Sequence, residues 1–196
     1  MRDASGLASF IRLGFGGKEG FYVLDRDGTR PYPSGTALEG RLWGEGLTFA
    51  LVASRFNEFF VRPLVHGARS ALVRHGVRPE DIAEIWVPGS FELPLAAKRA
   101  AESGAFSGIV ALGVVMRGET AHFDYVAGEA SSGLARVAWE TGVPVGFALL
   151  TLDDAEQAVH RAGGKAGNKG AEAALAALEM SNLLRDLPEF AQKFRR

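Results

Sequence analysis

A three-layer α/β/α sandwich of the flavodoxin-like type, with a central parallel sheet, is the fold class that three features of this chain predict. From about residue 47 onward, short apolar β-rich runs alternate with segments of helical periodicity. The runs are nearly continuous in apolar residues, as strands covered on both faces must be. The segments between them are long enough to serve as right-handed crossovers between parallel strands. At 196 residues and 47% hydrophobic, the chain can bury one substantial core.

The elements come in a regular order. LTFALVAS (47–54) reads as a buried strand. After it Val61, Leu64, Val65, Ala68, Ala71 and Leu72 recur at helical spacing. Pro63 is expected in the first turn of that helix, where its missing N–H is harmless, and Gly76 is expected to close it. IAEIWVP (82–88) is the second strand, followed by a helix through Leu95, Ala96, Arg99 and Ala100 to Gly104. GIVALGVVM (108–116) is the most β-like run, with a helix from about Tyr125 to Thr141 behind it. VPVGFALLT (143–151) is the fourth core strand, and helices over 153–162 and 171–187 complete the chain.

The first 35 residues differ: they are rich in Gly, turn dipeptides and isolated aromatics, with no sustained period. They read as an N-terminal extension, flexible or dependent on an oligomer, ahead of a single domain over 36–196. Gly17-Lys18 invites comparison with a phosphate-binding loop, but Glu19 stands where Ser or Thr is required and Arg12 where the first Gly is. ALEGRLW (37–43) looks like a short strand, an edge strand available to another subunit.

Composition narrows the function classes. Lys plus Arg number 22 against 23 Asp plus Glu, without the basic excess of a nucleic-acid binder. No apolar run approaches the roughly 20 residues that cross a bilayer, and MRDASGLASF lacks the apolar stretch of a signal peptide. The expectation is a cytoplasmic protein without a membrane or nucleic-acid partner. The chain has no cysteine, which removes disulfides and thiolate chemistry. No two of His66, His75, His122 and His160 have the i,i+4 spacing of a helical metal site, and no metal is expected. His66 and His75 read as solvated or helix-end residues.

Ligands of such sheets sit beyond the carboxyl ends of the strands, so segments 54–58, 88–92, 114–122 and 151–154 carry the search. Phe56 is either core or a platform for a planar heterocycle, and Asn57 is a candidate helix N-cap. Glu92 is either well placed near a positive helix end or a carboxylate waiting for ligand N–H and O–H groups. Gly118-Glu119-Thr120 leading into a helix is a candidate anion cradle. His122 just beyond it is either structural or a proton carrier. RAGGKAGNKG (161–170) is either a flexible linker or a second wall for an anion, with Arg161 able to grip phosphate bidentately. Two separated phosphate-friendly segments and one titratable His point to a phosphorylated small substrate and proton transfers.

Taken together, SRFNEFF, PGSFELP, GVVMRGETAHFDYV, TGVPVGFALLT and RAGGKAGNKG resemble the lumazine synthase family in order and spacing, from about residue 47 to 184. The resemblance implies condensation of 5-amino-6-(ribitylamino)uracil with 3,4-dihydroxy-2-butanone 4-phosphate, without a cofactor. It implies that Phe56 stacks on the pyrimidine, with Asn57 beside it. Ser90, Phe91 and Glu92 would hold the ribityl chain, and backbone groups of Val114, Val115 and Met116 the polar ring edge. Glu119 and Thr120, with Arg161 and Lys169, would bind phosphate. His122 would move protons, and Phe147 would come from a neighbouring subunit. The resemblance also implies a homo-oligomer, a pentamer or a shell of pentamers, with riboflavin synthase as a candidate partner. Shells go with a short connection in the 161–170 region, where this chain has no insertion; the N-terminal extension is the departure. A non-catalytic flavin-binding or compartment-forming relative is the competing expectation, against which His122 and Arg161 together argue.

Overall fold

A computed structural model describes residues 10–15, 18–24, 31–33 and 37–195. The chain divides into two compact units, residues 40–185 and residues 1–39 with 186–196. In the smaller unit Phe10–Phe15 (β1), Lys18–Leu24 (β2) and Pro31–Pro33 (β3) pair antiparallel in the order β1-β2-β3. These strands arise where the sequence shows no sustained period. The expectation of flexibility over 1–35 falls in large part outside the described residues.

In the larger unit Phe49–Ser54 (β4), Ile82–Val87 (β5), Gly108–Met116 (β6) and Val145–Leu152 (β7) form the central sheet. Their order is β5-β4-β6-β7 and every pair is parallel. Glu58–Arg74 (α1), Leu93–Glu102 (α2) and His122–Thr141 (α3) are the crossovers, and Ala155–Arg161 (α4) and Lys169–Gln192 (α5) follow β7. Ala162–Gly164 (β8) and Gly167–Asn168 (β9) make a small hairpin between α4 and α5. Among the described residues no helix is long and apolar enough to cross a membrane.

The strand period of two assigns side chains to the two faces. Phe49, Leu51 and Ala53 join Val110, Leu112 and Val114 in the core shared with α1, α4 and α5. Ala50 and Val52 join Ile109 and Ala111 against α2 and α3. Leu51, Leu64, Leu112 and Leu178 are fully buried, each worth about 1.5–3 kcal/mol relative to exposure. The chain steps one way from β4 to β5 and then back across β4 to β6, so right-handed crossovers place helices on both faces. That reversal opens a crevice at the carboxyl ends of β4 and β6.

The boundaries depart from the sequence pattern in instructive places. Gly76 and Gly104 follow α1 and α2 with φ of 93° and 69°, the left-handed conformation that glycine adopts freely. Pro63 lies inside α1 rather than in its first turn, because the helix already begins at Glu58. His66 is exposed on α1, and His75 is its C-cap residue. Residues 37–43 form no strand, and the carbonyls of Arg41 and Trp43 accept instead from Asn182 Nδ2 at 2.7 and 2.9 Å.

Asn182 is fully buried on α5, and the same amide also meets Leu178 O at 3.1 Å. Truncating it strands carbonyls that have lost water as well as partner. Asn182→Ala is therefore expected to lower stability by about 2–3 kcal/mol, read from the urea midpoint at constant slope. An unchanged midpoint would mean that residues 41–43 are held by something else.

Candidate active site

The loops after β4 and β5 continue the sheet's pairing past its end. Arg55 N–H donates to Val87 O at 2.8 Å and Phe56 N–H to Pro88 O at 3.0 Å. Ser54, fully buried, donates from Oγ to Phe56 O at 3.3 Å. With its backbone held this way, the Phe56 ring stands outward at 69% exposure. The core alternative for Phe56 is thereby removed, and a bare aromatic face remains at the sheet mouth.

Asn57 stands at the N-cap position of α1, but its side chain does not cap the helix. Its φ and ψ are 61° and 33°, and it is the one non-glycine with positive φ among the described residues. Its Nδ2 donates to Val114 O at 2.9 Å, across 57 residues. The reason lies in the sheet. β4 pairs with β6 only as far as Ala53 opposite Leu112, so Val114 has no β4 neighbour. The amide supplies the donor that the departing strand leaves missing. The N-cap expectation holds for position and fails for side-chain chemistry.

After β5, Ser90–Glu92 form a 3₁₀ turn that leads into α2. Glu92 Oε2 accepts from Gly89 N–H at 2.9 Å, so its carboxylate is first of all a local cap. Ser90 is 5% exposed and its Oγ has no hydrogen-bond partner among the described residues. A Cβ on Gly113 would lie 2.9 Å from that oxygen, so the glycine on β6 makes room for the hydroxyl. A buried hydroxyl without a protein partner costs roughly 1–3 kcal/mol and asks for a polar ligand atom. Phe91 next to it is exposed.

At the end of β6, Val114 is buried and Val115 and Met116 are half-buried. Arg117, which the sequence pattern does not single out, anchors the loop between β6 and α3. Its N–H donates to Leu152 O at 2.8 Å, and its guanidinium meets Asp153 at 3.2 Å and Asp124 at 3.4 Å. The same group lies 4.2 Å from the centroid of the Phe123 ring. Gly118, Glu119 and Thr120 are exposed just ahead of α3. That helix begins at His122, three residues before the expected Tyr125, so His122 is the exposed first residue of a helix and not a loop residue. No side chain caps α3, which is why nothing local marks its start.

The remaining candidates lie elsewhere in the chain. Arg161, half-buried, ends α4 with Nη1 on Gln157 O at 3.3 Å. Lys169 opens α5 with Nζ 2.7 Å from Glu172 Oε2. Between them residues 162–168 fold as the β8–β9 hairpin. Phe147, 51% exposed, sits opposite Ala111, whereas Val114 faces Leu150. Three residues at ~3.3 Å each place Phe147 about 10 Å down the strand from the mouth. None of the described contacts of Arg161, Lys169 or Phe147 is with the mouth loops. A groove of about 330 Å³ between α2 and α3, lined by Pro94, Leu95 and Arg136, lies off the strand ends and reaches them only through Phe91. On its wall Lys98 bonds Glu140 at 2.8 Å, which raises the lysine pKa and lowers that of the carboxyl.

A parallel α/β sheet whose mouth combines an aromatic shelf, an unpartnered buried hydroxyl, a carboxylate and a helix N-terminus defines a flavodoxin-like protein built to hold a small polar ligand. The comparisons with known proteins give the particular kind: residues 46–185 match the family model for 6,7-dimethyl-8-ribityllumazine synthase, and the chain belongs to that family. Proteins of that name from Nitratidesulfovibrio vulgaris strains DP4 and Hildenborough are each 55% identical over 150 residues, which is 76% of this chain and 96% of theirs. The relative from strain Miyazaki F is 53% identical over the same length.

Proposed function

We propose that this protein condenses 5-amino-6-(D-ribitylamino)uracil with 3,4-dihydroxy-2-butanone 4-phosphate to 6,7-dimethyl-8-ribityllumazine in riboflavin biosynthesis, with release of phosphate and water. The observation that carries this reading is the pairing of the outward Phe56 ring with the unpartnered Ser90 hydroxyl at one sheet mouth, inside the matched span. One offers a face to a planar pyrimidine and the other a hydrogen bond to a polyol. Phe91 and Glu92 flank the ribityl chain, and backbone groups of Val115 and Met116 meet the ring edge. Val114 contributes through what its carbonyl leaves free beside Asn57.

The pyrimidine brings its own amine and the ester its own leaving group, so no nucleophilic side chain or cofactor is needed. The work left to the protein is alignment, stabilisation of a dianion and proton transfer. Glu119 and Thr120 ahead of α3 form one phosphate wall, and Arg161 with Lys169 the other. Phe147, about 10 Å from its own mouth, serves the neighbouring subunit's site. The oligomer this requires is a pentamer, and the short 162–168 hairpin suits packing of pentamers into a shell. We place the protein in the cytoplasm. Mixing the purified chain with both substrates tests the reading: the lumazine chromophore is expected, and binding without product would favour a non-catalytic relative.

His122 is assigned the proton shuttle. His122→Ala should slow turnover by about 10²-fold or less, the low end for general acid–base groups, with affinity for a pyrimidine analogue retained. An amine and a ketone already react in water, and water can enter the space of the lost ring. Turnover followed against pH decides: a variant matching the parent throughout removes His122 from the mechanism, and lost analogue binding makes it structural.

The extension lies outside the family match, and we assign it no part in the chemistry. Deleting residues 1–34 is expected to leave turnover within a few-fold, with assembly size by light scattering as the companion measurement. An insoluble product would show that the segment completes the fold.

A further inference from the structure

The hairpin between α4 and α5 is tied to α4 by Ala166 N–H, which donates to His160 O at 2.9 Å, and Ala162 packs against the core. Gly163, Gly164 and Gly167 occupy three of its positions, and Lys165 and Ala166 are exposed. Its own ladder is short, with Ala162 opposite Asn168 and Gly164 opposite Gly167 across an irregularity. Glycines free the backbone, so such a turn would sample many positions unless tied. The two cations assigned to phosphate, Arg161 and Lys169, stand at its two ends. Their separation therefore depends on how the hairpin is held.

One side chain ties it to α1 as well. Asn168 Nδ2 donates to Pro63 O on α1 at 2.8 Å and lies 3.4 Å from Ala162 O, the residue after Arg161. Asn168 Oδ1 accepts from Ala171 N–H at 3.0 Å, in the first turn of the helix that Lys169 opens. Both ends of the amide are used, toward three separate parts of the chain. The seat is specific. A Cβ on Gly67 would lie 2.3 Å from the Asn168 side-chain carbon and oxygen, so only glycine on that turn of α1 admits the amide.

We propose that Asn168 is the positioning residue for phosphate, fixing Arg161 and Lys169 as one anion-binding unit against α1. The inference rests on the assignment of those two cations to the phosphate site. Each cation's own contact is local: Arg161 reaches back to Gln157 in its own helix and Lys169 to Glu172 one turn on. A dianion held by both needs their spacing set before it arrives, and an error of about 1 Å can cost on the order of a hundredfold.

Two substitutions separate tethering from helix capping. Asn168→Ala removes both. Asn168→Ser keeps an oxygen for Ala171 N–H, the ordinary N-cap role, but is too short to reach Pro63 O. The probes are the Michaelis constants of the two substrates, inhibition by inorganic phosphate, and the melting temperature. Both variants are expected to weaken the butanone phosphate and inorganic phosphate about tenfold, with the pyrimidine constant within about twofold. The serine variant should melt close to the parent. If serine restores the phosphate constants, Asn168 only caps α5 and the proposal is overturned. Unchanged constants in Asn168→Ala, or equal rises for both substrates, overturn it too. Arg161→Ala run alongside tells the failures apart. If it leaves phosphate inhibition unchanged, the phosphate assignment itself is wrong. If it weakens inhibition while the Asn168 variants do not, only the positioning role falls.

Discussion

Arg161→Ala should raise the Michaelis constant for the butanone phosphate far more than that for the pyrimidine. Arg161 is half-buried, and one of its guanidinium nitrogens is held by Gln157 O at 3.3 Å, which aims the remaining N–H groups. An arginine so placed can meet two phosphate oxygens at once in a charge-assisted pair. Truncating one partner of such a contact costs roughly 2–5 kcal/mol, or about thirtyfold to several thousandfold in the constant. Arg161→Lys keeps the charge but loses the planar fork, so an intermediate effect is expected. Steady-state kinetics with each substrate varied in turn is the measurement. Equal changes for both substrates would place Arg161 outside the phosphate site.

Gly170→Ala should destabilise the larger unit by about 3 kcal/mol or more, a sign opposite to the usual one in a helix. Alanine ordinarily gains on glycine inside a helix by about 0.5–1 kcal/mol. At position 170, however, the new Cβ would lie 2.1 Å from Leu64 O and 2.8 Å from Leu64 C. Those are backbone atoms of α1, and they cannot rotate aside as a side chain can. α5 would have to lift from α1, opening the packing of Ala173, Ala174 and Leu178 over the sheet. Gly128 on α3 is the internal comparison, because nothing lies within 4 Å of a Cβ there. Gly128→Ala is expected to be neutral or stabilising by up to about 1 kcal/mol. Urea denaturation of both variants reads the two signs. A Gly170→Ala variant as stable as its parent would mean that α1 and α5 do not cross so closely.

The glycines illustrate how unevenly the fold can be read from residues alone. Gly76 and Gly104 are legible as helix ends, because a left-handed residue after an apolar helical stripe is a local event. Gly67, Gly113 and Gly170 carry no such sign, since what each makes room for lies far along the chain. The mouth divides in the same way. Phe56 and Glu92 stand out at strand ends with a structural and a binding alternative each, and Ser90 only through the family resemblance. Whether Phe56 is core or shelf depends on the bonds that tie its loop to Val87 and Pro88. Arg117 is inconspicuous because its partners Asp124 and Asp153 acquire meaning only once β7 lies beside β6.

The alternation of apolar runs is enough, without any tertiary information, to place β4, β5, β6 and β7 and the helices between them. A strand buried on both faces reads as a near-continuous apolar run and a helix buried on one repeats every 3.6 residues, and both signals are written into neighbouring positions. The reach of Asn57 to Val114, of Asn168 to Pro63 and of Asn182 to Arg41 comes only with the folded chain, spanning 57, 105 and 141 residues. An amide satisfies whichever carbonyl packing has stripped of water, and that carbonyl is chosen by the order of strands in the sheet and not by its distance along the chain.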